Sequence, residues 1–334
     1  KLELDKLTEY TQKYIDEAPY KENGKNGTGL SKGRIQNLKL FKNTIKRYEL
    51  EMFSNKSILI KDINLLFVEN YKKWLFNQNY SINYVGKNIA NLKTICLDAQ
   101  KNDFEISSQV KNIKAISESK EPENIIYLSE AEQDKIKDAK LIRESLINAR
   151  KWLLLGCLIG QRGGDLLEIT NENIRYNGKN YYIDITQQKT NKSVTIGIIA
   201  PHVIDIIENN LPKKIPHQKL NEYAKVICKL AGIDAVVKGT KLNTDTNRKE
   251  LGNYPKYELI SSHCFRRSFA SNYYKKIPTA VLIGITGHSK ESLFLTYINK
   301  REDKDSNADL FMQFYEKLNK DKTPEMKVLK NGTK

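Results

Sequence analysis

Residues 261–300 read SSHCFRRSFASNYYKKIPTAVLIGITGHSKESLFLTYINK, and the rest of the chain is interpreted outward from them. His263 and Arg266 stand in an H-x-x-R arrangement, Gly287-His288 follows, and Tyr297 lies nine residues beyond His288. Two histidines, an arginine and a tyrosine at this density point to phosphoryl chemistry rather than to a metal. A guanidinium forks a phosphate through two N–H groups, an imidazole shuttles protons or donates a hydrogen bond, and a phenol can be a covalent nucleophile. Each residue alone has a plainer reading: His263 as a helix N-cap, His288 as a turn residue, Tyr297 as core between Leu295 and Ile298. The weight lies in the set.

Charge narrows the partner. The 334 residues carry 56 Lys+Arg against 40 Asp+Glu, a net charge of +16. Such an excess favours a polyanion, because every phosphate neutralised releases condensed counterions. A lysine-rich proteome would also give it. No apolar run approaches the ~20 residues of a membrane span. Cys96, Cys157, Cys228 and Cys264 show no CxxC pairing. The first three lie in helical patterns as small buried hydrophobes, which implies a reduced, cytoplasmic setting without a zinc site. The length predicts two domains. Because the first residue is Lys1 rather than Met, the natural N-terminus is expected upstream.

Periodicity organises the first half as helices. Leu4, Leu7, Tyr10 and Tyr14 share a face, and Lys21–Ser31 is polar and Gly-rich, hence a flexible loop. A helix is predicted over 32–53 with Ile35, Leu38, Phe41, Ile45 and Tyr48 inward. Its outer face carries Lys32, Arg34, Lys39, Lys42 and Lys46; with Lys87 and Arg267 these are the candidate DNA contacts. Further helices are expected over 64–78 (Phe67, Tyr71, Trp74, Leu75 inward) and 81–101, the latter capped by Ser81. Residues 1–116 thus read as an all-helical domain, 117–124 as a linker, 125–320 as a second domain and 321–334 as a disordered tail.

The second domain opens on Ser129-Glu130-Ala131-Glu132, a capping box. The apolar run Trp152–Ile159 predicts a buried helix that stops at Gly160-Gln161-Arg162-Gly163-Gly164-Asp165. Burying a guanidinium at such a junction is costly without an anionic partner, and Asp165 one turn on could orient Arg162 or simply pair with it. Residues 180–198 alternate as a β-hairpin around Lys189-Thr190-Asn191-Lys192, with Lys189 at the end of its first strand and Gln187, Gln188 and Lys189 exposed. Helices are expected from Pro201 and over 221–231, and residues 232–259 read as a loop with at most a short β excursion. Helices over 264–275, 280–286 (buried), 292–297 and 307–318 complete the pattern.

Assembled, the chain resembles the tyrosine recombinases, the phage and conjugative-transposon integrase family. The resemblance spans nearly the whole chain, weakly over 1–115 and specifically over 125–300. Gly160-Gln161-Arg162-Gly163-Gly164-Asp165-Leu166-Leu167 is similar to the T-G-x-R-x-x-E/D-L-L box, with Ile159 in place of the threonine. Lys189 resembles the hairpin lysine, with Lys192 as its rival. His263-Cys264-Phe265-Arg266 resembles the H-x-x-R box and Gly287-His288 the G-H motif. Tyr297 is the tyrosine at the right distance, unlike Tyr273, Tyr274 or Tyr315. All six positions occur in order.

The resemblance implies a mainly α fold with a small β-sheet: an all-helical core-binding domain and a mixed α/β catalytic domain, closed as a C-shaped clamp on double-stranded DNA. It implies that Tyr297 attacks a phosphodiester to give a 3′-phosphotyrosyl enzyme without metal, ATP or other cofactor. Arg162 and Arg266 would clamp the phosphate, His263 accept the phenol proton, Lys189 protonate the 5′ oxygen and His288 donate to the phosphate. It also implies a homo-tetrameric synapse in which the last helix docks on a neighbouring protomer, accessory DNA-bending or excision factors, and a prokaryotic, nucleoid-associated setting. The additional arm-binding domain common in such integrases has no counterpart in this stretch. The competing readings are a type IB topoisomerase, a non-catalytic DNA-binding regulator of the same fold, and an RNA-binding protein, for which no aromatic signature is present.

Overall fold

The computed structural model describes residues 3–23, 27–118, 125–209, 211–246, 248–300 and 304–320. The chain separates into two compact units, Lys1–Glu121 and Pro122–Lys334. Most of the linker read at 117–124 and the whole of the tail at 321–334 lie outside the described residues.

In the first unit, helix α1 (Leu7–Asp16) buries Leu7, Tyr10, Tyr14 and Ile15. Within Lys21–Ser31, read as a flexible loop, two short strands pair, β1 (Glu22–Asn23) and β2 (Gly27–Thr28). Helix α2 (Lys32–Met52) starts where the Ser31 hydroxyl accepts from the Arg34 amide, and it buries Leu38, Phe41, Ile45 and Tyr48. Helix α3 (Leu65–Asn77) is capped by Asn64, and helix α4 (Ile82–Lys101) by Ser81, as its sequence predicts. The core is dominated by rings. Tyr48 packs on Tyr71 and Trp74 with centroids 4.9 and 5.0 Å away. The polar atoms in this core are paired: Tyr71 donates to Asn88 (3.1 Å), and Glu49 accepts from the Ile58 amide (2.8 Å).

The second unit begins with α5 (Glu130–Asp138), whose capping box between Ser129 and Glu132 is complete. Helix α6 (Glu144–Ile159) is the buried axis, with Trp152 through Cys157 and Ile159 inside. Helix α7 (Gly163–Leu167) follows after a left-handed residue at Gly160. The hairpin read at 180–198 is present as β4 (Tyr181–Thr186) and β5 (Ser193–Ile198). A third strand, β3 (Ile174–Tyr176), extends it to the order β3-β4-β5. In β5 the burial alternates strictly, placing Val194, Ile196 and Ile198 inward. Helix α8 (Pro201–Glu208) has proline in its first turn, and α9 (His217–Leu230) starts four residues before the helix expected at 221.

Residues 232–259 are the clearest departure from the sequence reading. They form a long antiparallel hairpin, β6 (Val236–Asn243) with β7 (Arg248–Pro255), in full register from Val236↔Pro255 to Asn243↔Arg248. Neither strand has a buried residue, so no apolar alternation announced them. The chain then runs through α10 (Ser262–Tyr273), α11 (Thr279–Thr286), α12 (Glu291–Tyr297) and α13 (Lys304–Lys320). Helix α11 buries only Leu282 and Thr286, less than its apolar sequence suggested. On α13, Phe311, Met312, Phe314 and Tyr315 are all exposed. The four cysteines are buried and unpaired. Among the described residues no helix is long and apolar enough to cross a membrane.

Candidate active site

Four helices and one hairpin turn build the site, all within the second unit. Helix α6 ends in a left-handed Gly160 (φ +64), against which the Phe269 ring packs so closely that a Cβ would sit 2.5 Å from it. That stop turns Arg162 out of the core. Helix α11 ends the same way at Gly287 (φ +69), which presents His288. Only glycine adopts this conformation without a steric cost, which explains the two G-x(-R) and G-H signatures physically. Between them, α10 contributes His263, Arg266 and Arg267, and α12 places Tyr297 at its last position.

Arg266 is the most buried of the six candidate catalytic residues, 2% exposed. It donates to the carbonyls of Gly160 (3.1 Å) and Thr286, tying together the two helix ends. Burial and the neighbouring Arg162 lower its guanidinium to about 10, so it stays charged at neutral pH. Arg162 is 3.8 Å from Asp165 and donates to the Gln187 side chain at 3.3 Å. Asp165, read as either orienting Arg162 or simply pairing with it, also accepts from the Gln188 amide at 3.0 Å, linking α7 to the lysine turn. Its second oxygen is buried with no hydrogen-bond partner.

Tyr297 is half-buried among cations. The Arg266 and Arg267 guanidiniums lie 5.8 and 5.5 Å from its ring centroid, and the His288 ring is 5.2 Å away. Its hydroxyl donates to the main-chain carbonyl of His263 (3.3 Å) rather than to the imidazole. Burial raises the phenol above its ordinary value, and Arg266, Arg267 and Arg162 oppose that rise. Both histidines are driven toward the neutral form. His263 keeps an exposed edge, and partial desolvation, then Arg267, His217, Arg266 and Arg162, depress it. Burial, Arg266, Arg162 and Lys192 bring His288 down to about 4. Thr286 holds the His288 ring through Nδ1 at 2.8 Å.

Arg162, Arg266, His288 and Tyr297 therefore converge, with His263 at the first turn of α10. Lys189 sits exposed in the turn after β4, not at the end of the strand, which closes at Thr186. Its rival Lys192 reaches the His288 carbonyl at 3.4 Å. Gln187 corrects the sequence reading: expected to be exposed, it is fully buried, because its amide fills the space beside Gly287. Arg267, read as a DNA contact, lies against the Tyr297 ring with its Nε buried and without an acceptor. Sequence reasoning missed Gln161 and Thr286 as parts of this centre; the glycine bracket around Gln161-Arg162 was the one available signal.

The remaining DNA-contact candidates lie in the first unit. Arg34 is bonded to Asn91 and Lys42 to Gln12, so both are engaged within the protein. Lys32, Lys39, Lys46 and Lys87 are exposed, and the first three repeat every seven residues along one stripe of α2.

Residues 118–304 match the phage integrase family and residues 6–115 the phage integrase SAM-like domain. No curated protein sequence matches the chain. The fold is shared with a lambda integrase tetramer bound to a Holliday junction (TM-score 0.60, 15% identity, covering 90% of this chain and 79% of that one). It is also shared with XerH recombinase bound to palindromic difH substrate in a post-cleavage complex (0.59, 14%, 92% and 94%). A third similar structure is the Tn1549 transposon integrase, residues 82–397, with circular intermediate DNA (0.58, 14%, 91% and 98%). The family match extends over more than half of the chain and takes in both glycine-stopped helices and the tyrosine between the arginines: the chain belongs to the phage integrase family of tyrosine recombinases.

Proposed function

We propose that this chain is a site-specific DNA recombinase that cleaves and rejoins strands through a 3′-phosphotyrosyl intermediate, integrating or excising a mobile element. The observation that carries the reading is the crowding of the Tyr297 phenol by Arg266, Arg267 and His288. In this reading residues 1–116 grip DNA through Lys32, Lys39, Lys46 and Lys87, and residues 125–320 carry the chemistry.

Tyr297 Oη forms a bond to the phosphorus while the bond to the 5′ oxygen breaks. Arg162 and Arg266 hold the non-bridging oxygens, and their charge stabilises the crowded transition state as a metal would elsewhere. His263, neutral before DNA binds, accepts the phenol proton. A lysine of the turn, Lys189 or Lys192, gives a proton to the departing 5′ oxygen, and His288 donates to the phosphate. The bond energy is kept in the phosphotyrosine, so rejoining to another strand needs no ATP.

The working assembly is a homo-tetramer on paired core sites. The exposed Phe311, Met312, Phe314 and Tyr315 of α13 provide an apolar face for a second protomer, and accessory DNA-bending or excision factors complete it in the cytoplasm, at the nucleoid. Similarity to a lambda integrase tetramer on a Holliday junction supports this assembly. The test uses nicked duplexes carrying sites enriched from a randomised library by this chain. A covalent protein–DNA adduct that Tyr297→Phe abolishes, with binding retained, is expected. Tight binding without any adduct would leave a non-catalytic regulator of the same fold, and an adduct surviving Tyr297→Phe would move the nucleophile elsewhere.

A further inference from the structure

Behind the guanidiniums lies a buried amide pair that none of the steps above uses. Gln161 and Gln187 are each 0% exposed. Gln187 Nε2 donates to Gln161 Oε1 (2.8 Å) and to the Thr286 carbonyl (3.2 Å). Gln161 Nε2 donates to the carbonyls of Ile159 (3.0 Å) and Ile285 (2.9 Å). Both amide nitrogens thus face acceptors, which fixes the orientation of the two groups. What remains is Gln187 Oε1, and it has two donors. Thr190 Oγ1 reaches it at 2.7 Å and Arg162 at 3.3 Å. One oxygen therefore joins the first arginine to the turn that bears Lys189.

The main chain of that turn closes on the same residue. The Gln187 amide donates to the Lys192 carbonyl (2.8 Å), and the Asn191 amide donates back to the Gln187 carbonyl (2.7 Å). On the other side, a Cβ at Gly287 would lie 2.2 Å from Gln187 Oε1, so the amide is fitted against the exit that presents His288.

We propose that Gln187 is a positioning residue: anchored on Gln161, on Arg162 and at the Gly287-His288 exit, it holds the 187–192 turn so that the lysine proton is delivered in register. This rests on the phosphotyrosyl reading above. Its signature is specific to one step. Loss of the lock displaces the turn lysine, which serves only the departing 5′ oxygen, whereas the clamp keeps its other holds: Arg162 stays beside Asp165 at 3.8 Å, and Arg266 keeps its bonds to Gly160 and Thr286.

Replacing the bridging 5′ oxygen by sulfur removes the need for that proton, because a thiol ionises near pH ~8.5 and leaves as the thiolate. The experiment measures single-turnover adduct formation on the nicked duplex with either a 5′-oxygen or a 5′-sulfur bridge, at saturating DNA. Gln187→Leu keeps the volume and removes both hydrogen-bonding ends. It is expected to slow the oxygen substrate by about 10- to 100-fold, the scale of an ångström-sized misplacement, and to leave the sulfur substrate within a few-fold of the parent chain. Lys189→Ala or Lys192→Ala, whichever lysine is the acid, should show the same pattern.

Thr190→Val deletes only the turn's hydroxyl donor to Gln187 and decides the matter if Gln187→Leu does not fold. A smaller loss confined to the oxygen substrate supports the lock. Equal slowing on both substrates, or no slowing by Thr190→Val on oxygen, overturns it. An adduct that the parent chain never forms overturns the phosphotyrosyl reading first, and this inference with it.

Discussion

Around Tyr48, the interior of the first unit is a stack of rings, Tyr71 and Trp74 among them, with a few paired polar atoms at its margin. Around Arg266, the interior of the second unit is a knot of hydrogen bonds among Gly160, Gln161, Arg162, Gln187 and Thr286. Both centre on buried side chains, and Arg162 alone of the second group is partly exposed. The difference lies in what holds them. Ring burial is non-directional and scales with area, so it stabilises without fixing any one atom. A hydrogen-bonded knot is directional: it adds little net stability per bond but leaves each polar group one position to occupy. Damage to the first should be felt as unfolding, and damage to the second as lost chemistry.

The sharpest separation is expected at Arg266. Arg266→Lys keeps a charge but cannot reach two carbonyls and fork a phosphate together. It should lower single-turnover adduct formation by about 10²–10³-fold, while urea unfolding shows a loss of about 1–3 kcal/mol from the orphaned carbonyls. Leu92, fully buried in α4, tests the opposite arm. Leu92→Ala should cost ~2–5 kcal/mol in unfolding, with adduct formation at saturating DNA unchanged well below the melting temperature. If Leu92→Ala slows the chemistry as much as Arg266→Lys, the distinction between the two interiors fails.

Acid should find the second unit first. His288 titrates at about 4 in the folded protein and near ~6.5 when unfolded. Between those values the unfolded chain holds a proton that the native chain does not, so stability rises with pH through the window and is lost on acidification from about 6.5 toward 4. The depressed His263 adds the same sign. Thermal melts at stepped pH should show this slope, and His288→Gln should flatten it; an unchanged slope would place the titration elsewhere. The mildest change is expected at Lys39, exposed on the α2 stripe. Lys39→Ala should reduce the slope of log affinity against log salt by about one, uniformly across DNA sequences. A sequence-dependent loss would mean that Lys39 reads bases.

Much of the candidate site was legible because its signals are local. His263, Arg266, His288 and Tyr297 fall within one short stretch, and helix stops at Gly160 and Gly287 explain why their neighbours point where they do. Ser81 and Ser129 announce helix starts for the same reason: a cap is a bond between residues three apart. The hairpin β6–β7 had no such signal, since strands with no buried residue carry no period to read.

The sequence by itself determined the two-unit helical plan, the order of the candidate residues and the basic surface, all of which follow from spacing and charge along the chain. Only the tertiary structure decided that Gln187 is buried rather than solvated, that Arg267 lies on the Tyr297 ring and that Asp165 binds the lysine turn. Those facts depend on partners 23 to 99 residues away in the chain. A polar side chain looks the same in sequence whether its partner is water or a distant carbonyl; folding alone brings the carbonyl to it.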